Sequence, residues 1–89
     1  IMAQTATYFS LTVDDLCGTS RSRVLVNARQ IAMYLLRSEL HLSFPRIAKE
    51  LGRKDHTTAI HSIEKIEKEA SLDPAMKNAI STIKEKLYA

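Results

Sequence analysis

Only two glycines, two prolines and one cysteine occur among the 89 residues, and each scarcity removes a class of protein. Little Gly and Pro leaves almost no material for the tight turns of an all-β fold, which makes helices the expectation. The lone Cys17 has no intrachain partner, which excludes a secreted disulfide framework and fits a reducing cytoplasm. No run approaches the ~20 apolar residues needed to cross a bilayer. The N-terminal IMAQTATYF lacks the basic start and long apolar stretch of a signal peptide. With Gly18 and Gly52 as the only glycines, a G-x-x-x-x-G-K-[ST] nucleotide loop cannot be built. No histidine has an evident nucleophile partner, and no enzyme is expected. His56 and His61 stand five apart, not at the four-residue spacing that puts two imidazoles on one side of a helix, so neither metal nor cofactor is expected. Aromatic residues, at 6%, offer no stacking platform for RNA.

What is there is a chain of ordinary globular composition, 45% hydrophobic. Its length predicts one domain over residues 1–89, burying roughly 60–65% of the unfolded surface in one modest core. Charge is uneven. Residues 1–20 carry only Asp14 and Asp15, residues 21–68 hold ten Lys/Arg against five Asp/Glu, and residues 69–89 balance at three of each. The basic middle suits a polyanion, though charge alone fits a solvated basic face equally well.

Residues 1–9 read as a short helix, the tail of a longer linker helix upstream. Thr12 caps a brief helix through Leu16, with Asp15 completing a capping box, and Gly18 ends it. GTSRSR, from Gly18 to Arg23, is a polar loop. From Val24 to about Leu40 the apolar positions Val24, Ala28, Ile31, Ala32, Leu35 and Leu36 follow helical spacing, with Asn27, Gln30, Tyr34, Arg37 and His41 opposite. Ser43 caps a short helix carrying Pro45 in its first turn, Ile47, Ala48 and Leu51 point inward, and Gly52 suits a left-handed C′ position. A helix from Asp55 or just after it to about Ala70 buries Ala59, Ile60, Ile63, Ile66 and Ala70. A last one starts at Asp73-Pro74 and buries Met76, Ala79, Ile80, Ile83 and Leu87, and Met33 and Met76 are packing residues. The fold class is all-α, a small helical bundle of roughly five or six helices.

The short helix, the turn at 52–54 and the helix from Asp55 form a helix-turn-helix. In that geometry the second helix lies in the DNA major groove with its N-terminal residues at base edges. GRKDHTTAIHS places six polar side chains in a row after Gly52, more than a helix start needs. Asp55 can accept from a cytosine amine, Thr57 and Thr58 can meet thymine methyls or either kind of pair, and His56 can donate or accept. Arg53 and Lys54 face phosphate or guanine, and Thr57, Thr58, His61, Lys65 and Lys68 share the exposed face. Capping alone also accounts for Asp55, and ordinary first-turn duty for the threonines.

RKDHTTAIHS, preceded by SFPRIAKELG and by RSRVLVNARQIAMYLLRSEL, resembles the C-terminal DNA-binding domain of DnaA, the family of bacterial chromosomal replication initiators. The likeness rests on Arg29-Gln30, Ala32-Met33, Pro45-x-Ile47, Gly52 and Asp55–Thr58 in this order and spacing, and runs from about Thr5 to Lys68. It implies sequence-specific binding, one chain per site, to an asymmetric A·T-rich box in double-stranded origin DNA, for initiation and regulation of replication. The implied base contacts are Arg21 in the minor groove, Asp55, His56, Thr57 and Thr58 in the major groove, and Pro45 and Lys54. The implied backbone contacts are Arg29, Gln30, Arg37, Arg53, His61 and Lys65. The family's ATP-binding module is then expected upstream of Ile1, and the location cytoplasmic, at the nucleoid. Acidic phospholipids and regulatory proteins are further implied partners.

Four positions depart from the family's pattern: Arg53 stands where a second glycine is common, Lys54 for arginine, Ala28 for proline and Leu51 for phenylalanine. Lys54 keeps charge but loses the bidentate fork, and the turn at Arg53 is expected to differ slightly, since a Cβ clashes at positive φ. The competing reading is a helical module that docks on acidic lipid or a partner protein. Dependence on base sequence separates the two.

Overall fold

The computed structural model describes residues 1–88, and residue 89 lies outside them. The helices among them are α1 (Met2–Tyr8), α2 (Val13–Cys17), α3 (Arg23–Leu40), α4 (Phe44–Glu50), α5 (Thr57–Leu72) and α6 (Pro74–Tyr88). This is the expected all-α bundle, with α4, the turn and α5 forming the helix-turn-helix.

Side chains start most of these helices. The Thr12 hydroxyl accepts from the Asp15 amide at 3.1 Å while the Asp15 carboxylate accepts from the Thr12 amide at 2.9 Å, the reciprocal box expected for α2. Ser22 and Ser43 cap α3 and α4, each accepting at 3.3 Å from the amide three residues on. Asp73 accepts from the Ala75 amide at 3.0 Å, with Pro74 opening α6. Three connections instead turn on a left-handed residue: Ser10 (φ 58), His41 (φ 55) and Gly52 (φ 70). Only the glycine was expected. His41 was expected on the polar stripe of α3; it ends that helix instead, its amide donating to the Arg37 carbonyl at 3.1 Å.

The long α3 is the axis, packing against α1, α2, α4 and, most extensively, α5. Its apolar residues split by helical period into two rows. Ala28, Ala32, Met33 and Leu36 meet Ala6, Leu16, Ile47, Ala48, Leu51, Ala59 and Ile63. Ile31 and Leu35 meet Ile66, Met76, Ile80 and Ile83, which attaches α6. Burying each such large aliphatic side chain contributes about 1.5–3 kcal/mol. One expectation needs correction. Val24 stands 52% exposed, because α3 begins at Arg23 and its first turn projects beyond the bundle. Helix α5 begins at Thr57, just after Asp55 as expected, and runs to Leu72.

A polar latch joins the ends of α3 and α6. Glu39 accepts from the Tyr88 hydroxyl at 2.7 Å and from Ser38 Oγ at 2.9 Å, with Lys84 Nζ at 3.5 Å. The Tyr88 hydroxyl first, then Ser38, holds the Glu39 carboxyl below its usual range, and Glu39 holds the Tyr88 phenol above its own.

Two outcomes follow. Ile66→Ala, which empties a fully buried site between α3 and α6, costs about 2–5 kcal/mol in denaturant unfolding. Tyr88→Phe lowers stability at neutral pH, and its difference from the parent shrinks at both extremes. A depressed carboxyl stabilises above its unfolded value and loses that as pH falls through its folded one. A raised phenol does the reverse, losing its contribution as pH rises through its folded value. Unfolding midpoints of both proteins across pH check this.

Candidate nucleic-acid interface

Helix α4 closes on a Schellman motif: the Arg53 amide donates to the Ala48 carbonyl at 2.8 Å and the Gly52 amide to the Lys49 carbonyl at 3.0 Å. Gly52 is needed twice over. Its φ of 70° is left-handed, and a Cβ there would meet the Cys17 carbonyl oxygen at 3.2 Å. The positive φ falls on Gly52 and not on Arg53, so an arginine after it strains nothing. The chain then turns through Asp55, whose Oδ1 accepts from the Thr57 amide at 2.8 Å. That bond spans two residues, an Asx turn that covers one of the bare amides at the start of α5. It is also the leading reason why the Asp55 carboxyl sits below its usual range, followed by the Thr57 hydroxyl.

All seven residues expected at base edges are exposed: Arg21, Pro45, Lys54, Asp55, His56, Thr57 and Thr58. Thr57, Thr58 and His61 line a concave surface with Gln30, Ser62 and Lys65. Gln30 and Lys65 also line the adjoining hollow, together with Arg21, Arg23, Asn27 and the acidic Glu69 and Asp73. Lys65 Nζ donates to Gln30 Oε1 at 3.2 Å and lies 3.9 Å from Glu69, which holds this shared wall between α3 and α5. The start of α5 and the loop bearing Arg21 thus lie along one continuous groove.

The residues expected at the DNA backbone divide. Gln30, His61 and Lys65 stand at the groove. Three arginines are committed within the protein, which sequence reasoning did not foresee. Arg29 was expected as a surface phosphate contact and is only 6% exposed. Its Nε donates to the Leu16 carbonyl at 2.8 Å, Nη1 to Ser20 at 2.6 Å and Nη2 to Asp15 at 3.3 Å. Burial, then the nearby Arg53, pulls its pKa below the usual arginine value. Arg53 Nη1 donates to the Cys17 carbonyl at 3.4 Å and to Leu51 at 3.3 Å, and Nη2 to Gly18 at 2.7 Å. Four consecutive carbonyls at the end of α2, Asp15 to Gly18, therefore end on two arginines. Arg37 Nη1 donates to the Leu42 carbonyl at 2.8 Å and its guanidinium lies 4.4 Å over the Phe44 ring. A signal existed for Arg29: it falls on the side of α3 that carries Leu25, Ala28, Ala32 and Leu36, where only a fully paired cation is tolerated.

A family model described as the bacterial dnaA protein helix-turn-helix matches residues 1–66. The chain belongs to this family. It is 58% identical to the chromosomal replication initiator protein DnaA of Cutibacterium acnes over 66 residues, 74% of this chain and 13% of that protein. It is 44% identical to DnaA of Limosilactobacillus reuteri over 87 residues, 98% of this chain and 20% of that protein. DnaA of Levilactobacillus brevis is 42% identical over 87 residues, 98% of this chain and 19% of that protein. The chain thus spans a fifth or less of the length of these relatives. The family match stops within α5, at residue 66, whereas the two lactobacillar alignments run on through most of the length that forms α6.

In this DnaA-family chain, Arg29→Ala strips the Asp15, Leu16 and Ser20 carbonyls of their guanidinium donors and costs about 1–3 kcal/mol or more in denaturant unfolding, whether or not DNA is present. For Asp55 the direction with pH is fixed. A depressed carboxyl stabilises above its unfolded pKa, and that contribution is lost as pH falls through the folded value. Asp55→Asn therefore lowers the thermal midpoint slightly at neutral pH, and the gap from the parent closes below the ordinary carboxylate range, as scanning calorimetry over pH checks.

Proposed function

We propose that the chain binds double-stranded DNA in chromosomal replication initiation, reading an asymmetric A·T-rich origin box with one chain per box. Membership of the DnaA helix-turn-helix family supports DNA binding. The observation that carries the finer reading is the exposed first turn of α5, with Thr57, Thr58 and His61 in the same groove wall as Gln30 and Lys65. The amide end of α5 and the neighbouring cations favour phosphate oxygens, and the side chains from Lys54 to Thr58 then meet base edges in the major groove.

Phosphate contacts fix position and base contacts fix sequence. Gln30, His61 and Lys65 take the first role, from a wall already held by the Lys65–Gln30 bond. Arg21 takes the adjacent minor groove, where A·T-rich DNA is narrow and its negative potential draws an arginine. Arg29 does not hold a phosphate in this reading; it holds the carbonyls of the segment that carries Arg21. Such binding places the protein in the cytoplasm, at the nucleoid. A lipid-docking role has no support of comparable kind, since no family match points to it, whereas Arg21, Arg23 and Lys65 line the groove.

Fluorescence anisotropy with a duplex carrying a DnaA-type box, against a scrambled duplex across a salt series, tests the reading. The box binds tighter by about tenfold or more at near-physiological salt. His56→Ala or Thr58→Ala costs about 1–3 kcal/mol on the box and relaxes the preference. Lys65→Ala weakens both duplexes similarly and lowers the salt slope by about one. Equal losses on both duplexes for His56→Ala would remove it from the base-reading set.

A further inference from the structure

The turn between α4 and α5 is docked on the end of α2 by three independent contacts. Arg53 donates to the Cys17 and Gly18 carbonyls at 3.4 and 2.7 Å. Gly52 approaches so closely that a Cβ would meet the Cys17 carbonyl oxygen at 3.2 Å. Cys17 Sγ lies 3.5 Å from the Glu50 carbonyl oxygen, toward which its thiol donates. On the other side of the same segment, Arg29 of α3 holds the Asp15, Leu16 and Ser20 carbonyls. Directly after this clamped stretch comes Arg21, exposed, in residues 18–22, which adopt neither helix nor strand. Arg21, Arg29, Arg53 and Lys54 line one cavity of about 480 Å³.

We propose that Arg53 is a positioning residue for Arg21: by tying the α4–α5 turn to the end of α2, it sets the loop arginine in register with the start of α5. The inference rests on the reading that Arg21 enters the minor groove. A protein that reads two grooves of one duplex must hold two reading elements at a fixed separation, because DNA fixes the separation of its grooves. The start of α5 is held by the core. Residues 18–22 have no core of their own, and their position is set by their carbonyl bonds. Arg29 anchors them to α3; Arg53 is the side chain that anchors them to the reading helix's own turn. The planar guanidinium spans carbonyls of two different elements, Gly18 and Leu51, with one rigid fork. An ammonium carries the same charge without that fork.

A double-mutant cycle on the full chain tests this, with anisotropy on the same labelled box duplex. Arg21→Ala weakens box binding by about tenfold. Arg53→Ala weakens it by about three- to tenfold, and in the Arg21→Ala background it adds less than about twofold. In the His56→Ala background the Arg53→Ala loss keeps its full size, whereas a general loss of folding competence would keep its full size in the Arg21→Ala background as well. Arg53→Lys, which retains the charge and a folded turn, behaves as Arg53→Ala and leaves the salt slope unchanged. Independent losses for Arg21 and Arg53, or rescue by lysine with the slope tracking charge, would overturn the proposal and make Arg53 a direct phosphate contact. An Arg21→Ala variant that binds as the parent does would overturn the minor-groove reading itself, and the proposal with it.

Discussion

A helix of five residues cannot pair its own last carbonyls, and α2 is such a helix. The Asp15 carbonyl accepts from the Gly18 amide, those of Leu16, Cys17 and Gly18 find no backbone donor, and all four are met by guanidinium groups from elsewhere in the chain. The negative end of the helix favours cations there, and the loss of hydration on burying Arg29 is offset by its three donor bonds. Because the donors come from α3 and from the α4–α5 turn, the same bonds that complete α2 also fix its loop between those two elements. The surface that faces solvent at Arg21 and the start of α5 is laid out by this arrangement.

Beneath it, α3 serves two cores at once. Residues four apart, Ala28, Ala32 and Leu36, face the helix-turn-helix and the N-terminal helices, and Ile31 and Leu35 face α6. Helix α5 crosses both, with Ile63 in one core and Ile66 in the other. Helix α5 is therefore held along its length, while Thr57 and Thr58 at its start stay exposed. Small residues on α3, two of them alanines, let the helix-turn-helix approach closely, which brings Gln30 and Lys65 within one hydrogen bond of each other.

Much of this was legible because it is local. The capping box at Thr12, the Ser43 cap, Pro74 after Asp73 and the left-handed Gly52 each depend on residues within three or four positions, and so does the apolar period of α3, α5 and α6. What sequence did not disclose is non-local. The place of Arg29 on the apolar side of α3 signalled its burial, but nothing near Arg29 or Arg53 in the chain identifies as partners carbonyls 9 to 36 positions away. Ser10 and His41 at positive φ defied the usual preference for glycine, each accepting local strain where the following chain must turn back on the bundle. Val24 matched the helical period and missed the core, since periodicity gives a direction and not where the neighbouring helix ends. At the groove the residue types were readable, their exposure was readable from the period, and the commitment of three arginines to internal partners was not.

That commitment divides the cations by what they can do. Lys54 and Arg21 are exposed and keep long, flexible stems, so each can follow a phosphate or a base but loses side-chain freedom on contact. Arg29, Arg37 and Arg53 have already surrendered theirs to carbonyls and, for Arg37, to the Phe44 ring. They still contribute positive potential to the face, since arginine stays charged at any ordinary pH. Their field reaches about a Debye length and so steers a polyanion without a contact. Charge that acts through space tolerates being tied down, whereas charge that must meet one phosphate does not. The fold can therefore spend its buried and half-buried arginines on holding the loop and still present a basic face.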